Sequence, residues 1–365
     1  MGMAAKQPRF VQDINVQNPN DLPTDSVSCV RFSNDMNSNL FATSDWSGKV
    51  RIYDIVMNGN SGQLTQKAMF DCKIPILEIY WQLNNTCIFA CCIDGKVNAI
   101  NIQTSQIQPI LEDPQIITFI YTNQNNMDII LTFSINKTLK IWKVGNNQPL
   151  STIQLDYVPI KASIGNNGLI LATFGNFQFS LFTMQNLNNS MKLNYSKCDL
   201  GTPINSAAVS PKSNTFSIGT VDGRILIGEA FSRGNYFDHK VLIQFKAHRS
   251  GDSKEAKNMP NNQKPPKELF PVNTIKFHPS SDYVMASGGN NGVIYFWNTS
   301  SRGKNQDYDH ANIPVTDCDF SKNGRVFVYA LGYDWAYGLS GTQMVNYRPT
   351  ISAYVIQEND LRRRS

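Results

Sequence analysis

The sequence predicts an all-β fold, a closed ring of seven β-propeller blades, on three observations. One strand grammar recurs along the whole chain: an alternating strand, a polar turn, a small-residue strand, a tight turn and a third alternating strand. The tight turns fall at a nearly constant period. The middle strand of each clear copy is rich in small residues, as in FATS, FACC, SIGT and MASGG, which suits the narrow inner part of a wedge.

The first copy, DSVSCVRFSNDMNSNLFATSDWSGKVRIYDI, starts at Asp25, and IPILEIYWQLNNTCIFACCIDGKVNAINI follows from Ile74. QIITFIYTNQNNMDIILTFSINKTLKIWKV starts at Gln115, and a weaker copy, VPIKASIGNNGLILATFGNFQFSLFTM, at Val158. TPINSAAVSPKSNTFSIGTVDGRILIGEA starts at Thr202 and FPVNTIKFHPSSDYVMASGGNNGVIYFWN at Phe270. A second weak copy, IPVTDCDFSKNGRVFVYALGYDWAYG, starts at Ile313. Ser47-Gly48, Asp94-Gly95, Asn136-Lys137, Asp222-Gly223 and Asn291-Gly292 are the tight turns. Asp-Gly and Asn-Gly supply the positive φ angles of two-residue hairpins. With Asn176 and Trp335 taken as the turn positions of the weak copies, the spacings are 47, 42, 39, 47, 69 and 43 residues.

A period of roughly 40–45 residues is that of a WD-repeat blade, so the chain reads as a single seven-bladed WD-repeat β-propeller. One blade cannot bury both faces alone, whereas radial stacking covers each blade with its neighbours and leaves few open edges. The segment RFVQDINV, residues 9–16, is expected to complete the last blade and join the chain ends. The 69-residue spacing marks an insertion, residues 250–268, between blades five and six. A short basic tail ends the chain. The Gly-His pair of ideal repeats is missing, and the WD dipeptide survives only as Tyr53-Asp54, Trp142-Lys143 and Trp297-Asn298. The side-chain networks of ideal repeats are therefore expected to be mostly lost, leaving packing to hold the blades.

Composition bounds the function. Hydrophobic residues make up 41% and charged residues 17% of the chain, which suits a large core and excludes global disorder. The net charge is +5, and the stretch from Lys240 to Lys267, with seven basic and two acidic residues, carries all of it. That is a local patch rather than a general polyanion-binding surface. No apolar run approaches the roughly 18 residues of a membrane span. MGMAAKQPRFVQDINV lacks the apolar stretch of a secretory leader, and Lys6 stands where myristoylation needs a hydroxyl. Seven cysteines, an odd number without CxxC spacing, indicate neither a disulfide framework nor a zinc site. They are expected to be reduced strand residues of a cytosolic or nuclear protein.

No nucleophile elbow, P-loop, HExxH or glycine-rich phosphate loop is present, so no enzyme, cofactor or metal is expected. Structural or interface roles are expected of His239, His248 and His278. Two readings stand for WNTSSRGK after Trp297. The aromatic ring with Arg302 and Lys304 holds an acidic, hydrophobic peptide or a nucleic acid, or the segment is an ordinary solvated loop. Arg224, beside the Asp222-Gly223 turn, either faces a partner or forms an internal ion pair.

GTVDGRILIGEA, FKAHRS, FPVNTIKFHP and GYDWAYG together resemble the mRNA export factor family of seven-bladed WD-repeat nucleoporins. The similarity runs over nearly the whole chain. A sister family, the mitotic spindle-checkpoint WD-repeat protein, shares the DGR and FKCHR-like motifs but lacks the tryptophan of YDW. Both families bind GLEBS, a short acidic-hydrophobic segment of a partner. Arg224 matches the arginine of the family's EGR motif, and Phe245, His248 and Arg249 match the phenylalanine, histidine and arginine of FKCHR, with Ala247 replacing the cysteine. Trp297, Arg302 and Lys304 match a tryptophan and basic pair on the sixth blade, although Asn298 stands where the family has aspartate. The resemblance implies a non-enzymatic adaptor of nuclear mRNA export. It would bind a GLEBS segment of an FG nucleoporin at the nuclear pore complex, beside other pore components, with further protein in the cytoplasm. The same lip is expected to take single-stranded RNA. The sister family implies a checkpoint adaptor on kinetochore proteins instead.

Overall fold

A computed structural model of the chain describes residues 13–59, 61–124, 127–187, 192–249, 268–281, 283–300, 303–309, 313–336, 338 and 348–361. Among them, strands form seven four-stranded antiparallel sheets, so the fold is an all-β seven-bladed propeller. In blade one, Val27–Phe32 is the inner strand, followed outward by Phe41–Asp45, Lys49–Asn58 and Ser61–Asp71. Blades two to six repeat this order, with inner strands Ile76–Trp81, Ile116–Gln124, Pro159–Ile164, Ile204–Val209 and Val272–Phe277. Blade seven takes Val315–Phe320, Val326–Leu331 and Thr350–Val355 from the end of the chain and its outermost strand, Ile14–Asn15, from the beginning.

The hairpins between second and third strands take the backbone their turn residues allow. Gly48, Gly95, Lys137, Gly223 and Gly292 all have positive φ, as do Asn176 and Phe177 in blade four. Gly223 is required twice over, since a Cβ there would lie 2.1 Å from the carbonyl oxygen of His248. Blade seven departs from the expected tight turn at Trp335. Its third strand begins only at Thr350, so Trp335 lies in the connection between the second and third strands. The basic tail from Arg362, residues 9–12 of the expected closing segment and residues 250–267 of the insertion lie outside the described residues.

Every seam between neighbouring blades holds one apolar cluster. The ring closes through polar contacts as well. Tyr329 donates to Asp13 at 2.6 Å, Ser352 donates to Asn15 at 2.6 Å, and Val16 bridges on to Leu64 of blade one.

Each inner strand carries a register shift at its second residue. Such a bulge re-aims one side chain out of the ladder. The residues skipped by the pairing include Ser28, Leu77, Ile117, Asn205, Asn273 and Thr316, and these line one mouth of the central channel. Deeper in the channel, ion pairs form a charged belt: Arg31–Asp317 at 3.0 Å, Lys161–Glu78 at 3.1 Å and Lys276–Asp319 at 4.0 Å.

Candidate functional site

Inner strands start, and the tight turns lie, on the same face of the propeller. That face carries two adjoining features. The first is the bulge-lined channel mouth, a cavity of about 610 Å³. Leu77, Ile117, Trp46, Tyr333 and Trp335 make its apolar side, and Asn205, Asn273 and Thr316 its polar side. The polar side is braced, because Asn273 and Asn290 donate to Asp334 at 2.8 and 2.7 Å. Trp335 remains 44% exposed at the rim.

The second feature is the turn end of blade five, with the seam to blade six beside it. Arg224 follows the blade-five turn, and Arg249 follows the strand Tyr236–Lys246 that pairs with it. Both guanidiniums reach one carboxylate: Arg224 Nε and Arg249 Nη2 donate to Asp222 Oδ2 at 2.7 and 2.6 Å. Thr202 and Thr220 donate to the other oxygen at 3.0 and 2.6 Å. Burial works against the charge on Asp222, but the two threonine hydroxyls and then the two arginines outweigh it and hold its carboxyl below the usual range. One carboxylate against two guanidiniums leaves the cluster a net positive charge. The internal ion pair expected as one reading of Arg224 is therefore present, yet Arg224 keeps 30% and Arg249 14% of its side chain exposed.

Phe245 packs on Trp297 with ring centroids 4.6 Å apart, and Tyr295 lies 5.0 Å from the same indole. Lys304 sits 5.1 Å above the Tyr295 ring and pairs with Asp307 at 2.9 Å. Phe245, Trp297 and Lys304 thus meet at the seam between blades five and six, whereas Arg224 lies on the other face of the blade-five sheet, where its Nη2 donates to Leu200 O at 2.6 Å, and Arg249 joins it on Asp222. Arg302 lies outside the described residues.

His248 does not reach the surface. Its side chain is 0% exposed, so it is not a contact residue for a partner. Nε2 lies 2.9 Å from Ser287 Oγ, and Nδ1 lies 2.9 Å from Asn291 Oδ1. Trp297 Nε1 donates to the same Ser287 oxygen at 2.8 Å. The network is satisfied with the proton on Nδ1: indole to hydroxyl, hydroxyl to imidazole, imidazole to carboxamide. Burial pushes the imidazole down to about 4, with Asn291 opposing, so it stays neutral at physiological pH. The ring anchors the turn that presents Arg249. Trp297, only 5% exposed, is likewise mostly internal.

The expectation that side-chain networks are mostly lost needs correction in two blades. Blade six holds the chain just described. Blade three holds another, in which Trp142 donates to Thr132 at 3.0 Å, and Thr132, Ser134 and Lys140 converge on buried Asp113.

A model described as "WD domain, G-beta repeat" matches residues 20–54 and 266–298. The chain is 26% identical over 332 residues to a poly(A)+ RNA export protein of Schizosaccharomyces pombe, covering 90% of this chain and 86% of that one. It is 25% identical over 348 residues to protein Rae1 of Drosophila melanogaster, with 92% of each chain covered. Over 334 residues it is 27% identical to an mRNA export factor of Xenopus tropicalis, covering 90% of this chain and 85% of the relative.

Proposed function

The chain belongs to the mRNA export factor family of WD-repeat propellers, and on that premise we propose that it is a non-enzymatic adaptor of nuclear mRNA export. Its ligand is a GLEBS-type acidic-hydrophobic segment of an FG nucleoporin, captured at the nuclear pore complex. One observation carries this reading: a net-positive arginine pair and an apolar cavity adjoin on a single face. Acidic residues of the segment meet Arg224 and Arg249, an arrangement that speeds encounter and fixes register. Apolar residues of the segment fill the channel mouth between Leu77, Ile117 and Trp335, where burial supplies most of the binding energy. A segment of this composition is unfolded when free and orders as it binds.

The test is capture of a synthetic GLEBS peptide by the full chain, followed by calorimetry. Wild type binds, and the double variant Arg224→Glu/Arg249→Glu loses the peptide. Undiminished capture by the variant removes the arginine pair from the site. A single-stranded RNA probe titrated with salt tests the lip for nucleic acid, since phosphate contacts give a steep fall of affinity with salt.

A further inference from the structure

The turn position that holds His248 in blade six varies among the blades. Its backbone N–H bonds the carbonyl of Gly223, and the same bond is made by Asp113 to Gly95 and by Cys72 to Gly48. Its side-chain neighbour is the last residue of the second strand. In blade six that residue is Gly289, where a Cβ would lie 2.3 Å from the His248 ring. In blade three it is Ser134, bonded to Asp113 at 2.8 Å. In blade two it is Cys92, so the same placement sets the Cys92 side chain beside Cys72 at the edge of one apolar cluster. Asn98 donates to Cys92 Sγ at 3.4 Å. Both cysteines belong to the apolar cluster between blades one and two, with Cys92 buried and Cys72 half-exposed at its edge. Cys91, the next residue on the strand, points into the other seam.

We propose that Cys72 and Cys92 are an oxidisable dithiol, a modification site at which a small-molecule disulfide such as oxidised glutathione closes a bond across the seam between blades one and two. The neighbouring Cys92 favours the Cys72 thiolate, with burial opposing. Cys72, half-exposed where Cys92 is buried, is the thiol that a disulfide in solution reaches, and its thiolate is the attacking nucleophile. Its sulfur attacks one sulfur of oxidised glutathione, forms the mixed disulfide and expels one glutathione thiolate. Cys92 then gives its proton to solvent and attacks the Cys72 sulfur, expelling the second glutathione. Two cysteines are oxidised and one disulfide is reduced to two thiols, so the electrons balance. The inference stands apart from the proposed function. It places the bond beside the channel mouth, because Trp46 precedes Gly48 by two residues and Leu77 follows the Ile76 pairing partner of Cys92.

Incubation of the native full-length chain with oxidised glutathione, read by intact and peptide mass spectrometry, tests it. The expected product has lost two hydrogens and maps to Cys72–Cys92. Cys92→Ser stops at one glutathione on Cys72, Cys72→Ser forms no bond, and Cys91→Ser behaves as wild type. With a limiting alkylating reagent at neutral pH, Cys72 reacts about tenfold faster than the similarly half-exposed Cys87, which has no thiol partner. A glutathione adduct that persists on wild-type Cys72, a bond to another cysteine, or equal alkylation rates would overturn the proposal.

Discussion

Trp142 and Trp297 occupy the same position in blades three and six, and each donates its indole N–H to a hydroxyl one strand inward. Beyond that hydroxyl the two blades part. In blade three the next group is the fully buried carboxylate of Asp113, paired with Lys140. In blade six it is a neutral imidazole, closed off by the Asn291 carboxamide. One scaffold thus holds its tryptophan by an ion pair in one place and by neutral hydrogen bonds in another. The neutral version stands beneath the arginine cluster, where a buried carboxylate would cancel the positive charge of Arg249. Among the described residues, the seam of the ion-paired version carries no such cluster.

The difference fixes the ranking of truncations. Asp113→Ala leaves Lys140 and two hydroxyls facing a void, and breaking a buried pair in this way costs about 3–5 kcal/mol. His248→Ala strands only Ser287 and Asn291, at about 1–3 kcal/mol for unsatisfied neutral groups. Urea unfolding of the two variants checks the order, and equal losses would break the distinction.

Acid sharpens the comparison further. His248 titrates near 4 in the fold against 6.5 when unfolded, so folding favours its neutral form. Its contribution is complete above pH 6.5 and is lost as pH falls through that window toward 4. A shift of that size corresponds to roughly 3 kcal/mol. Asp13, pushed up to about 6 by burial, moves stability the opposite way in the same window. The measurement is therefore the difference between wild type and His248→Gln from pH 7.5 down to 4.5, in which Asp13 cancels. A pH-independent difference would mean that the ring is not held neutral.

What could be read from the sequence was local. Asp222-Gly223 and Asn291-Gly292 declare their hairpins in two adjacent letters, and even Asn136-Lys137 turns with Lys137 at φ 62°. The seven inner strands followed from alternation. His248 misled because its sequence neighbours are basic and polar, while the groups that bury it lie 39 and 43 residues away. The channel mouth was hidden for a different reason. Its lining depends on a one-residue bulge in each inner strand, and alternation alone sends Leu77 and Ile117 into the ladder. Trp335 read as a hairpin turn because YDWAYG has turn chemistry, but the strand that follows it starts fifteen residues later, at Thr350.

The smallest effect on stability discriminates most directly between a scaffold role and a contact role. Lys304 and Asp307 are each 41% exposed and pair at 2.9 Å, and the ammonium also covers the Tyr295 ring. An exposed pair of this kind contributes about 0–1 kcal/mol because water and salt screen it. Lys304→Ala should therefore unfold within about 1 kcal/mol of wild type in urea. If the seam between blades five and six holds an acidic segment, the same variant weakens GLEBS capture severalfold, and the loss shrinks as salt is raised. Unchanged capture with unchanged stability would confine the contact to Arg224, Arg249 and the channel mouth, and leave the Tyr295–Trp297 side of the seam as packing.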